Sequence, residues 1–142
     1  MGFRVKITGG NDVSFDETVI SGVNFVSETP DNSNARSTDL SVTIRITGRI
    51  NFSLGAELKD STVELANWAL MPSDKADCYR KVEVQVVSGG QIVRQYTYPN
   101  AFVMDYVEDL NDEEGVGTFI MLLKQKKDLT SKVELKGNFE AS

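Results

Sequence analysis

Few side chains in this sequence are equipped for chemistry. It contains one cysteine, Cys78, and no histidine. A lone cysteine forms no intrachain disulfide, and the usual Cys/His zinc sites need several such ligands. Histidine acid–base catalysis and the Ser-His and Cys-His nucleophile pairs are excluded for want of the base. Cys78 therefore reads as an incidental thiol, with no partner to activate it. The acidic run Glu108–Glu114, EDLNDEE, invites comparison with a calcium loop. Started at Asp109, that loop would place Glu114 where the sharp turn needs glycine and Ile120 where a bidentate glutamate must close the site, so the motif fails. Asp105 and Asp109 would lie roughly 13 Å apart on an extended strand, too far for paired-carboxylate catalysis. The pairs Gly9-Gly10 and Gly89-Gly90 lack the Lys-Ser/Thr of a phosphate loop, and neither opens a helix. The basic stretch Lys124–Lys127, KQKK, is short and reads as a solvated strand end. These residues imply no catalysis, no metal and no cofactor.

What remains is a chain built to fold and to be touched. Its 142 residues suffice for one domain, 1–142, with a real core. A net charge of −6 argues against a protein made to grip nucleic acid. No apolar run approaches a membrane span, and MGFRVKITGG lacks the apolar centre of a secretory signal, so synthesis in the cytoplasm and no membrane insertion are expected.

Strict alternation marks the strands. Phe3, Val5 and Ile7 alternate with Arg4, Lys6 and Thr8, and Leu40, Val42, Ile44 and Ile46 with Ser41, Thr43, Arg45 and Thr47. Between them, NDVSFDE reads as turn chemistry and Thr18–Glu28 as strand, with Gly22 a candidate bulge and Gly48 a bulge or kink in the next strand. Tyr79–Val87 and Gln91–Tyr98 flank Ser-Gly-Gly, a hairpin signal. Pro99 is expected to interrupt the second of these strands before AFVMDYVEDL continues it. VGTFIMLLKQ and KVELKGNF finish a count of about eight antiparallel strands. The expected fold is mainly β, a small β-barrel or sandwich with one short flanking α-helix.

That helix is the segment Ser61–Pro72, STVELANWALMP. Ser61 and Glu64 have the spacing of a capping box, and Pro72 forbids continuation. About ten residues are marginal alone, so the helix must dock an apolar face on the sheet. Val63, Ala66 and Leu70 form one stripe, with Leu65 and Trp68 to the other side. Either these two pack in the protein's own barrel or one is left for a neighbour. Thr29–Asp39, TPDNSNARSTD, has no large apolar residue, and it is either a plain surface loop or a partner-binding arm.

The order of three strands, one short helix, then strands joined by a Ser-Gly-Gly hairpin resembles the tail-tube superfamily. That group comprises phage tail-tube proteins, the haemolysin-coregulated protein of type VI secretion, and tubes of contractile injection systems and tailocins. Asp39–Val87 carries the likeness, through DLSVTIRITGRI, KDSTVELANWAL and CYRKVEVQVV. RQYTYPNAFVMDYVEDL and GTFIMLLKQKK are similar to the family's next two strands. The resemblance implies a structural subunit that self-assembles into six-membered rings stacked into a hollow tube. The first long loop would reach toward the adjacent ring, and strand edges would pair across subunits.

Candidate inter-subunit residues are then Pro30, Asp31, Asn34 and Arg36 in the loop, Arg45 and Arg49 on the third strand, and Leu65 and Trp68 on the helix. Implied partners are copies of itself, a sheath, a baseplate hub, and tape-measure and terminator proteins, with DNA or protein cargo passing without specific binding. The product would be a phage tail or tail-like particle assembled in a bacterium. Six copies at −6 each would give a ring of about −36, an acidic cylinder through which DNA or acidic cargo would slide. The competing reading is a non-tubular β-barrel, a baseplate or carbohydrate-binding module, with a concave aromatic patch of Tyr96, Tyr98 and Phe102.

Overall fold

The computed structural model describes residues 1–9, 12–31, 40–51, 62–72, 75, 78–111 and 116–141. Its elements in chain order are β1 (Gly2–Thr8), β2 (Val13–Phe15), β3 (Ile20–Glu28), β4 (Ser41–Asn51), α1 (Val63–Ala69), β5 (Arg80–Ser88), β6 (Gln91–Leu110) and β7 (Val116–Gln125). A 3-10 helix (Lys127–Lys132), β8 (Glu134–Lys136) and β9 (Phe139–Glu140) complete it. All nine strands pair antiparallel in one sheet of order β2-β1-β5-β6-β7-β4-β3, with β8 and β9 added to β6. The sheet folds over on itself without closing, as in a sandwich. Val5, Ile7, Val82 and Val84 from one half share a core with Ile44, Ile46, Phe119, Met121 and Leu123 from the other.

The alternation expected in β1 and β4 is the pattern observed. Val42, Ile44, Ile46 and Ile50 are buried while Arg45 and Arg49 are exposed. The bulge expected near Gly22 is present, since β3 steps from Ile20↔Gly48 to Gly22↔Thr47. Gly48 itself stays in register with Phe119. Its glycine is demanded by close approach: a Cβ there would run into the buried Phe119 ring and sit 2.9 Å from the Val19 carbonyl oxygen. Gly89 and Gly90 adopt φ of 59° and 76°, the left-handed pair a two-residue hairpin turn needs.

Two readings need correction. NDVSFDE contains a strand as well as turns: Val13–Phe15 pairs with β1, and three residues are too few to show a period. Pro99 does not interrupt its strand either, because β6 runs unbroken through it for 20 residues. Proline is tolerated there because the ladder to β5 is already irregular, passing from Tyr98↔Val82 to Ala101↔Arg80, so no ladder bond needs its missing N–H. The next amide, Asn100, donates to Gln125 Oε1 at 3.2 Å, and the Asn100 carbonyl accepts from Lys126 at 2.8 Å.

Candidate functional site

The strand lengths leave part of the sheet incomplete. β5 pairs with β6 only as far as Ala101, so from Phe102 to Leu110 strand β6 is bonded to β7 on one side and to no strand on the other, among the described residues. At the far end of the sheet, β3 is the terminal strand and, among the described residues, pairs with β4 alone. The ladder β6–β7–β4–β3 thus has two open edges, each a row of main-chain groups available for pairing. One face of it rests on the core. The other points away from the protein and bears Asn24 and Val26 of β3, Arg45, Thr47 and Arg49 of β4, Thr118 and Ile120 of β7, and Asp105, Val107 and Asp109 of β6.

That outward face combines apolar and charged rows. Thr47, Ile120 and Val107 align across three strands, with Ile120 44% and Val107 56% exposed. Arg45, Leu122 and Asp105 form the row on one side, and Arg49, Thr118 and Asp109 the row on the other. The described charges on this face balance in sign, Arg45, Arg49 and Lys124 against Asp105, Asp109 and Glu28. The net −6 of the chain does not reside here. The acidic residues that do interact strongly lie elsewhere: Glu17 is held below the usual carboxylate range by main-chain hydrogen bonding and by Arg4 at 2.8 Å, and Asp16 by the Thr18 hydroxyl and amide.

Beside the open edge of β6 lies a groove of about 440 Å³, lined by Ala66, Ala69 and Leu70 of α1 and by Val103–Tyr106 and Glu108 of β6. Leu70 is 81% exposed there, and Met104, squeezed out by a bulge between Val103 and Asp105, is 47% exposed. Apolar side chains at the mouth of an unpaired edge are the features of a surface that another chain covers.

The helix arrives in this position through the face opposite to the stripe expected of it. Leu65 and Trp68 are buried in the subunit's own core, while Val63 and Leu70 are exposed. Trp68 decides this orientation: its indole N–H donates to the Cys78 carbonyl at 2.8 Å, and the Arg80 guanidinium lies 5.3 Å from its ring centroid. Leu65 and Trp68 are accordingly core residues and not surface left for a neighbour. Thr62, and not the expected Ser61, stands at the N-cap, and Ser61 lies outside the described residues.

Of the other candidates, Arg45 and Arg49 project from the outward face near the β3 edge, and Arg49 donates to the Thr18 carbonyl at 3.3 Å. Pro30 and Asp31 lie just past the end of β3, both exposed, and Asn34 and Arg36 lie outside the described residues. No aromatic patch forms from Tyr96, Tyr98 and Phe102. Tyr98 is fully buried with its hydroxyl donating to the Thr43 carbonyl, Tyr96 stacks on Phe25 at 4.7 Å, and Phe102 packs edge-on against Tyr79. Leu70, Met104, Val107 and Ile120 were missed by the sequence reading. For the last three the signal was the apolar excess on the polar side of AFVMDYVEDL and VGTFIMLLKQ. Among the described residues no group of acidic, cysteine or histidine side chains could hold a metal, and no helix is long and apolar enough to cross a membrane.

No protein-family model matches the chain, and neither does any curated protein. Solved structures do match in fold. Hcp1 from Flavobacterium johnsoniae aligns over 96% of this chain and 98% of its own, at 15% identity and a TM-score of 0.58. A chain of the six-fold symmetrised anti-feeding prophage baseplate aligns over 96% and 93%, at 14% identity and a TM-score of 0.54. A type six secretion system protein aligns over 87% and 80%, at 12% identity and a TM-score of 0.54. From its first strand to its last, this chain shares the fold of these structures.

Proposed function

We propose that this protein is the structural subunit of a hollow tail or injection tube, self-assembling through its open strand edges into stacked rings. The observation that supports the reading is the pair of free edges on one four-stranded ladder, with an apolar groove beside one of them. In a ring, every β3 runs opposite to every β6, so the β3 edge of one copy meets the β6 edge of the next in antiparallel register. The rest of each subunit is packed on the core face of the ladder. A closed barrel has more room outside than inside, so that bulk must lie outward and the face of Arg45, Ile120 and Asp105 must line the bore.

Ring size comes from analogy with the six-fold symmetry of the anti-feeding prophage structure. Four strands from each of six copies, spaced about 4.8 Å apart, give a backbone bore of roughly 37 Å before strand tilt widens it. Such a bore admits DNA or a small protein as cargo. Its wall would be charge-balanced, so the acidic lumen expected from net charge alone is not part of this reading. A sheath, a baseplate hub and a tube terminator would be the natural further partners of such a tube.

Negative-stain imaging of the purified protein across a concentration series tests this. Rings or tubes are expected as concentration rises, and Leu70→Glu is expected to abolish them while leaving the monomer folded, because it places a charge in the groove at a position already 81% exposed. Solitary particles of wild-type protein at the highest concentration would overturn the proposal.

A further inference from the structure

The charges of the outward face repeat at equal spacing on two strands. Arg45 and Arg49 stand four residues apart on β4, and Asp105 and Asp109 four apart on β6. The two strands run parallel and in step, each separated from the other by β7. Within one subunit each arginine Cα is therefore about 10 Å from the matching aspartate Cα, yet neither ion pair forms. The ion pair found among the described residues is Arg4–Glu17, on another part of the sheet. Arg49 leans the opposite way. Its guanidinium reaches across toward the Thr18 carbonyl, on the β3 side of β4, and so away from its own Asp109.

We infer that Arg49 and Arg45 pair with Asp109 and Asp105 of the adjacent copy, across β3, and that these pairs fix the register of the edge-to-edge joint. The inference rests on the proposed ring. When β6 of a neighbour adds to the open edge of β3, its Asp105 and Asp109 stand two strands from Arg45 and Arg49, as far as their own copies do on the other side. The intervening strand differs. Over β7 an arginine must pass Leu122 and Thr118, whereas β3 presents Asn24, opposite Arg45, and Gly22, opposite Thr47. The β3–β4 ladder ends at Ile20↔Gly48, one residue short of Arg49, so no β3 ladder side chain stands in that arginine's row. Because both strands space their charges by four residues, one register satisfies both pairs, while a slip by two residues satisfies neither. Main-chain pairing alone tolerates such a slip, since it keeps every side chain on its face, and the charges supply what it lacks. The partner surface is thus a second copy of this chain, read by sign and spacing.

The test is complementation in trans. Arg49→Glu and Asp109→Arg are prepared separately, both at exposed positions, and each is expected to lower tube yield at least tenfold while the monomer melts as wild type does. Mixed in equal amounts, they are expected to restore tubes. Copies alternating around an even-numbered ring present the new carboxylate of one variant to the new guanidinium of the other at one joint, and the native pair at the next. Restoration on mixing supports an inter-subunit pair, since no intramolecular pair can be rescued by another chain. If wild-type protein forms tubes and the single variants form them equally well, or if the mixture stays unassembled, this inference fails while the tube reading stands. If wild-type protein forms none, the reading beneath it has failed.

Discussion

Replacing Trp68 with alanine separates a core role from an interface role. Trp68 is 2% exposed, and its indole N–H satisfies the buried Cys78 carbonyl at 2.8 Å. Truncating a buried aromatic to alanine costs about 3–5 kcal/mol through lost burial and the cavity left behind. The orphaned Cys78 carbonyl adds about 1 kcal/mol or more unless water reaches it. Loss of the ring also removes the seat of the Arg80 guanidinium, which is itself buried. A total of roughly 4–6 kcal/mol is comparable with the lower end of the ~5–15 kcal/mol that holds a typical domain folded. Trp68→Ala is therefore expected to be mostly unfolded or nearly so at about 37 °C. Trp68→Phe, which keeps most of the volume and loses the hydrogen bond, is expected to cost about 1–3 kcal/mol. Urea denaturation of the monomer followed by far-ultraviolet circular dichroism measures both, since the chain's one tryptophan is the residue removed. A Trp68→Ala monomer with wild-type stability that only failed to assemble would refute the placement of this side chain in the core.

Two other changes probe the same framework. Gly48→Ala forces a methyl group into the Phe119 ring and toward the Val19 carbonyl, and an overpacking cost of about 1–3 kcal/mol is expected to lower the melting temperature by roughly 3–10 °C; unchanged melting would show that the β3–β4 bulge yields freely. Burial pushes the Tyr98 hydroxyl well above its ordinary value. Above about pH 10 the unfolded chain releases this proton and the folded chain keeps it, so stability is expected to fall with rising pH, by up to ~1.4 kcal/mol per pH unit from this residue. Unfolding free energies between about pH 10 and 11 should decline less steeply in Tyr98→Phe, and equal slopes would contradict the assignment.

Much of the fold was legible because burial on one face writes a period of two into the sequence. Val42, Ile44 and Ile46 against Arg45 and Arg49 needed no tertiary knowledge, and Gly89-Gly90 announced its turn through its freedom at positive φ. The helix shows where that reading ends. Its existence follows from Glu64 and Pro72, but it is apolar over most of its circumference, so periodicity alone does not choose between the Val63–Leu70 stripe and the Leu65–Trp68 stripe. The choice follows from burying the larger pair, Leu65 and Trp68, with the Trp68 indole satisfied by the Cys78 carbonyl ten residues further on. Pro99 misled for a related reason: a missing N–H matters only where the ladder needs one, and there the ladder is bulged.

The proposed assembly surface was half legible. Arg45 and Arg49 announced themselves as the charged side of a strand. The open edge of β6 did not, because it arises from a mismatch between strands: β5 has nine residues and β6 has 20, so the far half of β6 outruns its neighbour. No local pattern in AFVMDYVEDL records that, although Met104 and Val107 at outward positions are its trace.

Amide hydrogen exchange, compared between dilute monomer and assembled protein, addresses the claim on which everything else depends. New protection is expected in two segments, the unpaired edge of β6 from Phe102 to Leu110 and the outer edge of β3 from Ile20 to Glu28, with β1 and β5 unchanged. Assembled particles in which those two segments exchange as fast as in the monomer would contradict it.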